Sequence, residues 1–539
     1  MNGLKTNSMF TFFTHHRYAF LLILAFLIYT VVWSYIDLFR LDTLNALWAD
    51  LGLSMERGWL IYNNNWNLLG YLYIFFNSGI LFLTFPITFP QSFQLMLVVQ
   101  TIIIASAAFP LYGIAIHFIE NKKYSFLITV MYFIYFPLSG LNWYDFHYQS
   151  FFPLFFLLAF YLFLKEHYLF SLLFFFFSSI VRYPYAAFTF LFSVSIIFRS
   201  IYYKKHQSSV SNGLSFPFAL LLLSTFLLLG AYVINGGFSY VSSTVGYSGA
   251  NLTSNSLSLG IETFLYIFLP LGFIPLLSRK WFITYLPYMI LVVYIGGYGK
   301  VIPTAFHYQY TAMITPFVFL GLIDVFVKVK NLKIRVIHNT KWLRNLFMHR
   351  SKIILITIVL LSIFSATLFE PYGPVNKYNF DNFENFANYS SGNPASLGYL
   401  HKVINYIPKD NSSVLTQFNL PEIYPRPQIL KTFPNEILTL IAGHSAMGDM
   451  INLTLKNVRN DTYSAIVYSN HTNMVIHFHI YYALAYTPSP WYTNDYPYSM
   501  QNFIQLMNQS GKYGIIANYE GFILMEWGYK GPIELNGND

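Results

Sequence analysis

Apolar residues run almost without interruption through 19–369, in stretches of helical length parted by short polar breaks, and the pattern changes at Glu370-Pro371. A helix needs about 20 apolar residues to cross the hydrocarbon of a bilayer. Stretches near 18–36, 92–119, 124–141, 150–164, 168–181, 184–203, 214–235, 259–277, 281–298, 306–327 and 353–369 therefore predict about eleven crossings. The pieces 150–164 and 168–181 are short, and read as a tight hairpin or as tilted segments. Segment 68–85 is also apolar, but Asn77-Ser78-Gly79 interrupts it and Pro86 and Pro90 follow. It reads as re-entrant or interfacial, because a full crossing there would invert every later loop.

Past residue 370 the periodicity becomes that of a soluble domain. An Asn-rich linker over 370–395 leads to Pro394, placed for the first turn of a helix. Leu397, Leu400, Ile404 and Ile407 then recur at helical spacing. Residues 413–417 and 464–468 read as strands. Met500, Phe503, Leu506 and Met507 share a helix face, with Gly511 as the stop signal. Residues 513–517, a Glu520-Gly521 turn and residues 522–525 read as a hairpin. The expected architecture is an α-helical polytopic membrane domain over 1–369 and a small α/β domain over 396–539.

Charge sets the expected orientation. The run from Tyr18 to Ile36 follows Lys5, His15, His16 and Arg17 and has no small-residue cleavage site. It reads as an uncleaved signal-anchor with its N-terminus in the cytoplasm. The turns assigned inside then hold Lys122-Lys123, Lys165, Lys204-Lys205, Arg279-Lys280 and the block 328–352. That block carries Lys328, Lys330, Lys333, Arg335, Lys341, Arg344, Arg350 and Lys352 with no acidic residue. The net charge of +9 is thus a topological signature of a multi-pass cell-membrane protein and gives no reason to expect nucleic acid as a partner. The C-terminal domain falls outside, as do N-x-S/T triplets at Asn251, Asn388, Asn411, Asn452, Asn460, Asn470 and Asn508, which would accept glycosylation.

Composition agrees with a bilayer environment. The apolar share is 55% and the charged share 10%, against about 25% charged in soluble domains. Tyr suits the interfacial belt, where a ring meets both oil and water. The absence of Cys excludes disulfides, thiol catalysis and Cys-ligated zinc. No P-loop, dinucleotide fingerprint, HExxH or GxSxG motif is present, and no internal repeat marks an inverted-repeat transporter.

Candidate chemistry gathers on the exterior face. Asp37 and Asp42 follow the first span, Asp145 and His147 the third, Arg182 the fifth, and Lys300 and His307 precede the tenth. Ionisable groups at membrane depth cost about 2.5–3.5 kcal/mol each at the centre of an inserted helix, so they need partners or a wet pocket. Structural roles compete with functional ones at each position. Asp37 and Asp42 suit helix caps, Asp145 and His147 suit mutual pairing, Arg182 and Lys300 suit snorkelling, and His307 suits a hydrogen-bonded core.

These segments carry a resemblance. Asp37-Leu38-Phe39-Arg40-Leu41-Asp42-Thr43-Leu44-Asn45-Ala46-Leu47-Trp48 resembles the F-D-L-G-x-F-D-Q-A-L-W segment of the DUF2079 family of prokaryotic membrane proteins. Asp145-Phe146-His147 resembles its D-F-H, and His307-Tyr308-Gln309-Tyr310 with Pro316-Phe317 its H-Y-S…P-F. In the tail, Ile407-Pro408-Lys409-Asp410…Val414, Arg426 and Phe433-Pro434 resemble I-P-x-D-A-x-V…R…F-P, and Tyr513-Gly514…Glu520-Gly521 the closing Y-G…D-G. Two departures stand out. Tyr183-Pro184 follows Arg182 where the family has an acidic pair, and Trp66-Asn67 stands near an expected His.

The DUF2079 family in turn looks like the GT-C-type glycosyltransferases. That likeness implies a polyprenyl-phosphate-linked sugar donor and an exterior glycan, lipid or protein acceptor. It also implies a carboxylate at the exterior end of the first span as general base or metal anchor, the position of Asp37. Asp42, Asp145 and His147 would steer the acceptor, and Asp37, Asp145 and His147 are the candidates to hold a divalent cation such as Mg or Mn. Arg182, Lys300 and His307 would hold the phosphate. A non-catalytic envelope protein and a lipid or solute transporter are the alternative classes.

Overall fold

The computed structural model describes residues 3–41, 71–72, 75–76, 79–83, 93–143, 146–182, 185–206, 215–234, 261, 264–281, 284, 288, 309–331, 350–369, 397–408, 414–417, 430–433, 462–469, 472–479, 481–487 and 500–537. Packing of the chain divides it into two units. The first is Met1–Tyr35, Val98–Gly230 and Gly249–Phe380, and the second is Ile36–Leu97, Ala231–Ser248 and Asp381–Asp539.

The first unit is helical. Helix α1, Gly3–Leu41, is long enough to cross over His16–Leu38. Its buried positions Leu22, Tyr29, Trp33 and Asp37 form one stripe at spacings of three to four residues, while Leu24, Leu27, Ile28, Val31 and Val32 are exposed. Helices α2, Phe93–Ser106, and α3, Ala108–Ile119, form a second crossing over Leu95–Ile119. The irregularity at Ala107 lies one turn before Pro110, whose ring has no N–H to give the ladder. Helices α4, Lys122–Phe133, and α5, Phe136–Trp143, form a pair bent by 48°. Pro137 sits in the first turn of α5, where proline starts a helix but cannot continue the one before it.

A four-residue 3₁₀ turn, Tyr148–Phe151, leads into α6, Phe152–Leu164, and α7, Tyr168–Ser179, follows at once. The short apolar pieces are thus a tight hairpin. Glu166 makes its corner in a left-handed conformation (φ 62), and Ser171 Oγ donates to the Ala159 carbonyl across it. Helices α8, Tyr185–His206, α9, Ser215–Ile234, α10, Thr315–Asn331, and α11, Arg350–Phe369, complete the unit.

Among the described residues, four helices are long and apolar enough to cross a membrane, or five with the bent pair taken as one. The expected span 259–277 is not one helix. Its chain leaves the helical path at Phe268 for two 3₁₀ turns, Leu269–Leu271 and Ile274–Leu277. Pro270 and Pro275 withdraw two amide donors, and Gly272 (φ 60) and Phe273 (φ 58) reverse the backbone between them. Ser362 Oγ on α11 satisfies the freed Pro270 carbonyl.

The core of this unit is aromatic. Phe152, Phe156, Phe175, Phe188, Phe192, Trp281 and Phe317 are buried and meet ring to ring, with Phe156 and Phe317 centroids 4.6 Å apart. Where lipid is as apolar as Phe, packing and not transfer out of water holds such rings together.

In the second unit the C-terminal residues form a six-stranded sheet, ordered β2-β1-β5-β7-β6-β8. Its strands are β1, Val414–Gln417, β2, Leu430–Phe433, β5, Tyr482–Tyr486, β6, Tyr513–Tyr519, β7, Phe522–Trp527, and β8, Leu535–Asn536. Strands β1, β2 and β5 are mutually parallel, while β7 is antiparallel to β5 and β6. Strands β3, Thr462–Ser469, and β4, Thr472–His479, pair as a separate hairpin. Helix α12, Leu397–Ile404, buries Leu400, Val403 and Ile404, and α13, Met500–Ser510, buries Ile504 and Met507. Gly511 (φ 67) ends α13, and Glu520 (φ 46) with Gly521 (φ 85) makes the expected hairpin turn.

Gly514 shows how tightly this sheet is closed. A Cβ there would lie 2.3 Å from the Tyr529 carbonyl oxygen, a backbone atom held by its own chain. Gly514→Ala is expected to destabilise the sheet by about 1–3 kcal/mol, the usual cost of overpacking. Thermal unfolding of the full chain, followed by Trp527 fluorescence on β7, checks this.

Candidate functional site

His147 of the D-F-H segment is held by an amide side chain. After α5 the chain reaches His147 in extended backbone and enters the 3₁₀ turn. Gln100 on α2 donates through Nε2 to the Leu141 carbonyl at 3.0 Å, and its Oε1 accepts from the His147 backbone N–H. Ser150 Oγ donates to the His147 carbonyl, closing the turn. Thr101 Oγ1 lies 3.4 Å from Asn142 Oδ1, and Asn142 Nδ2 donates to Tyr29 Oη at 3.2 Å. Gln100, Thr101, Asn142, His147, Gln149 and Ser150 are all buried. The Gln149 Oε1 atom is buried without a hydrogen-bond partner among the described residues. Together these residues form a buried polar cluster inside an apolar bundle.

Other predicted segments meet the same turn. The 3₁₀ turn Gln309–Met313, which begins two residues after His307, packs against Tyr148–Phe151 and α5. Thr311 Oγ1 donates to the Pro137 carbonyl at 2.7 Å. Phe317 of the P-F pair packs on Phe156 and on Phe152, the latter with centroids 6.4 Å apart. Arg182 is half-buried between α7 and α8, and its carbonyl accepts from the Tyr185 N–H at 2.9 Å. The Tyr185 ring in turn meets Phe152 at 4.7 Å. Phe152 is therefore the hub on which the segments of His147, Arg182 and Phe317 converge.

Asp37 is buried, on the protein-facing stripe of α1, two helical turns beyond Tyr29. It belongs to the second unit, while His147 and Arg182 belong to the first. Asp42, Asp145, Lys300 and His307 lie outside the described residues, as do Arg426 and all the N-x-S/T asparagines except Asn508, which is exposed on α13. Among the described residues no group of three His, Asp or Glu side chains gathers as metal ligands would.

Sequence reasoning missed Gln100, Asn142 and Ser150. A signal was available, because a lone Gln in the run Leu95–Ile104 must find partners to sit in a bilayer. It also missed Asp324 on α10, whose carboxylate is paired with Lys280 at 2.8 Å and Lys328 at 2.6 Å. Gln100→Ala is expected to remove the acceptor of the His147 N–H and the donor to the Leu141 carbonyl, at about 1–3 kcal/mol each. Hydrogen exchange should rise at least tenfold at the His147 amide, and an unchanged rate would contradict this network.

A bundle of apolar helices enclosing a polar cluster defines an integral membrane protein of several spans. The chain belongs to the DUF2079 family of predicted membrane proteins, whose family model matches residues 72–524. No match was found among curated proteins.

Proposed function

We propose that this protein is a GT-C-type glycosyltransferase, moving a sugar from a polyprenyl-phosphate-linked donor to an acceptor on the exterior face. The observation that carries the reading is the buried polar cluster at the His147 turn, where the Gln149 Oε1 atom has no hydrogen-bond partner among the described residues. Amides, hydroxyls and an imidazole are the complement of a hydroxyl-rich ligand. The half-buried Arg182 supplies a cation suited to a phosphate.

In this reading Asp37 takes the proton of the acceptor hydroxyl as its oxygen bonds to the sugar's anomeric carbon. The bond from that carbon to phosphate breaks, and polyprenyl phosphate leaves with the electron pair, steadied by Arg182, Lys300 and His307. Asp42, Asp145 and His147 steer the acceptor. Asp37, Asp145 and His147 would hold a divalent cation, which would help to neutralise the phosphate. The reading includes the expected orientation, with the basic block inside and the domain 396–539 outside.

The second reading is a lipid or solute transporter, favoured by the 48° bend beside a buried polar cluster, since broken helices build transporter sites. Membrane vesicles with and without the protein, given a labelled polyprenyl-phosphate sugar, separate the two. Label covalently fixed to an envelope acceptor supports transfer. Label that crosses the bilayer still on its donor overturns it in favour of transport.

A further inference from the structure

At the polar end of α10 the chain builds a pair of ammonium groups around one acid. Asp324 Oδ1 binds Lys280 Nζ at 2.8 Å, and Oδ2 binds Lys328 Nζ at 2.6 Å and the Ser278 hydroxyl at 2.7 Å. The Asp324 side chain is 8% exposed, while the lysines are 47% and 45% exposed. Both carboxylate oxygens are therefore satisfied, but each ammonium has three donors and spends one of them here. Shared attachment to one carboxylate keeps the two cations within roughly 8 Å, about a screening length at physiological salt. One carboxylate against two ammoniums leaves a net positive charge, fixed in place and facing outward.

The position matters as much as the charge. The apolar span on α10 ends at Lys330, so Lys328 stands where hydrocarbon gives way to headgroups. Lys330 Nζ donates to the carbonyl of Ile119, the last residue of α3, which anchors the two helix ends side by side and satisfies an orphan helix carbonyl. The same helix end opens the basic block 328–352. We infer that Lys280 and Lys328, spaced by Asp324, form a binding site for the phosphate of an anionic lipid headgroup. A phosphodiester oxygen can bridge the unspent ammonium donors, and Leu277, 69% exposed and three residues before Lys280, offers an acyl chain an apolar contact. The site stands independently of the proposed transferase reaction.

The test uses the full chain purified in detergent, with native mass spectrometry after addition of phosphatidylglycerol or phosphatidylcholine. The wild type is expected to retain phosphatidylglycerol selectively. Lys280→Gln/Lys328→Gln is expected to lose about tenfold or more of that retention, and Lys280→Arg/Lys328→Arg to keep it. Lys402→Gln/Lys530→Gln, which removes the same charge from the C-terminal sheet domain, is expected to change it little. Should the double Gln variant fail to assemble, Lys280→Gln alone carries the test, because Lys328 still pairs with Asp324. Equal retention of both lipids, or equal loss in the two Gln pairs, overturns the site. Binding of inorganic phosphate in place of the lipid, with the same lysine dependence, overturns the lipid as its source.

Discussion

Phe152→Ala is expected to destabilise the helical unit by about 3–5 kcal/mol, the cost of a large cavity in a packed core. The ring is fully buried and contacts Tyr185 at 4.7 Å, Phe156 at 5.4 Å, and Phe188 and Phe317 at 6.4 Å. In water, part of such a cost is transfer of the ring to solvent. In a bilayer that part is small, so lost ring contacts and the void they leave dominate. Phe170 on α7 is the control: it is 58% exposed on an apolar helix and can exchange its contacts for lipid. Thermal unfolding in detergent should separate Phe152→Ala from a near-neutral Phe170→Ala. Equal shifts would mean that Phe152 is no hub. Because the segments of His147, Arg182 and Phe317 meet on this ring, its loss should also reduce any activity before the protein unfolds.

Asp37→Asn is expected to reduce sugar transfer by about 10²–10⁴-fold, the range general-base catalysis commonly supplies. The substitution keeps the size of a buried side chain on the inward stripe of α1 and removes only its charge. Transfer is compared at equal folded yield, so that any change in stability drops out of the comparison. That separation of activity from stability distinguishes a catalytic carboxylate from one that merely caps a helix. A capping Asp would show the reverse, with stability lost and residual activity following the folded fraction.

Much of the helical unit is legible from apolar run length alone. Each described helix of the bundle begins or ends within a few residues of a predicted stretch, because apolar side chains can meet lipid only when the backbone satisfies itself. The span 259–277 departed from that rule because hydropathy does not register that Pro270 and Pro275 lack donors. In the C-terminal sheet the hairpin of β6 and β7 was readable from its Glu520-Gly521 turn. Strand β5 was not: Tyr482 through Tyr486 are all buried, so the alternation that marks a half-exposed strand is absent. Strand β4 was also missed, though its partner β3 was found.

For the candidate site, sequence pattern pointed to the His147, Arg182 and His307 segments but not to what holds His147. The residues that fix the D-F-H turn are single amides and hydroxyls within apolar runs, and their partners lie about 40 residues away in the chain, Gln100 against Leu141 and His147. Spacing in one sequence cannot reveal such pairings, whereas the cost of burying a polar group without one can.

The most direct measurement is release of free polyprenyl phosphate from a polyprenyl-phosphate-linked sugar by the purified full chain, with Asp37→Asn of equal folded yield alongside. Release by the wild type, lost in the variant, is the result predicted. No release by either protein, or equal release by both, would contradict the account.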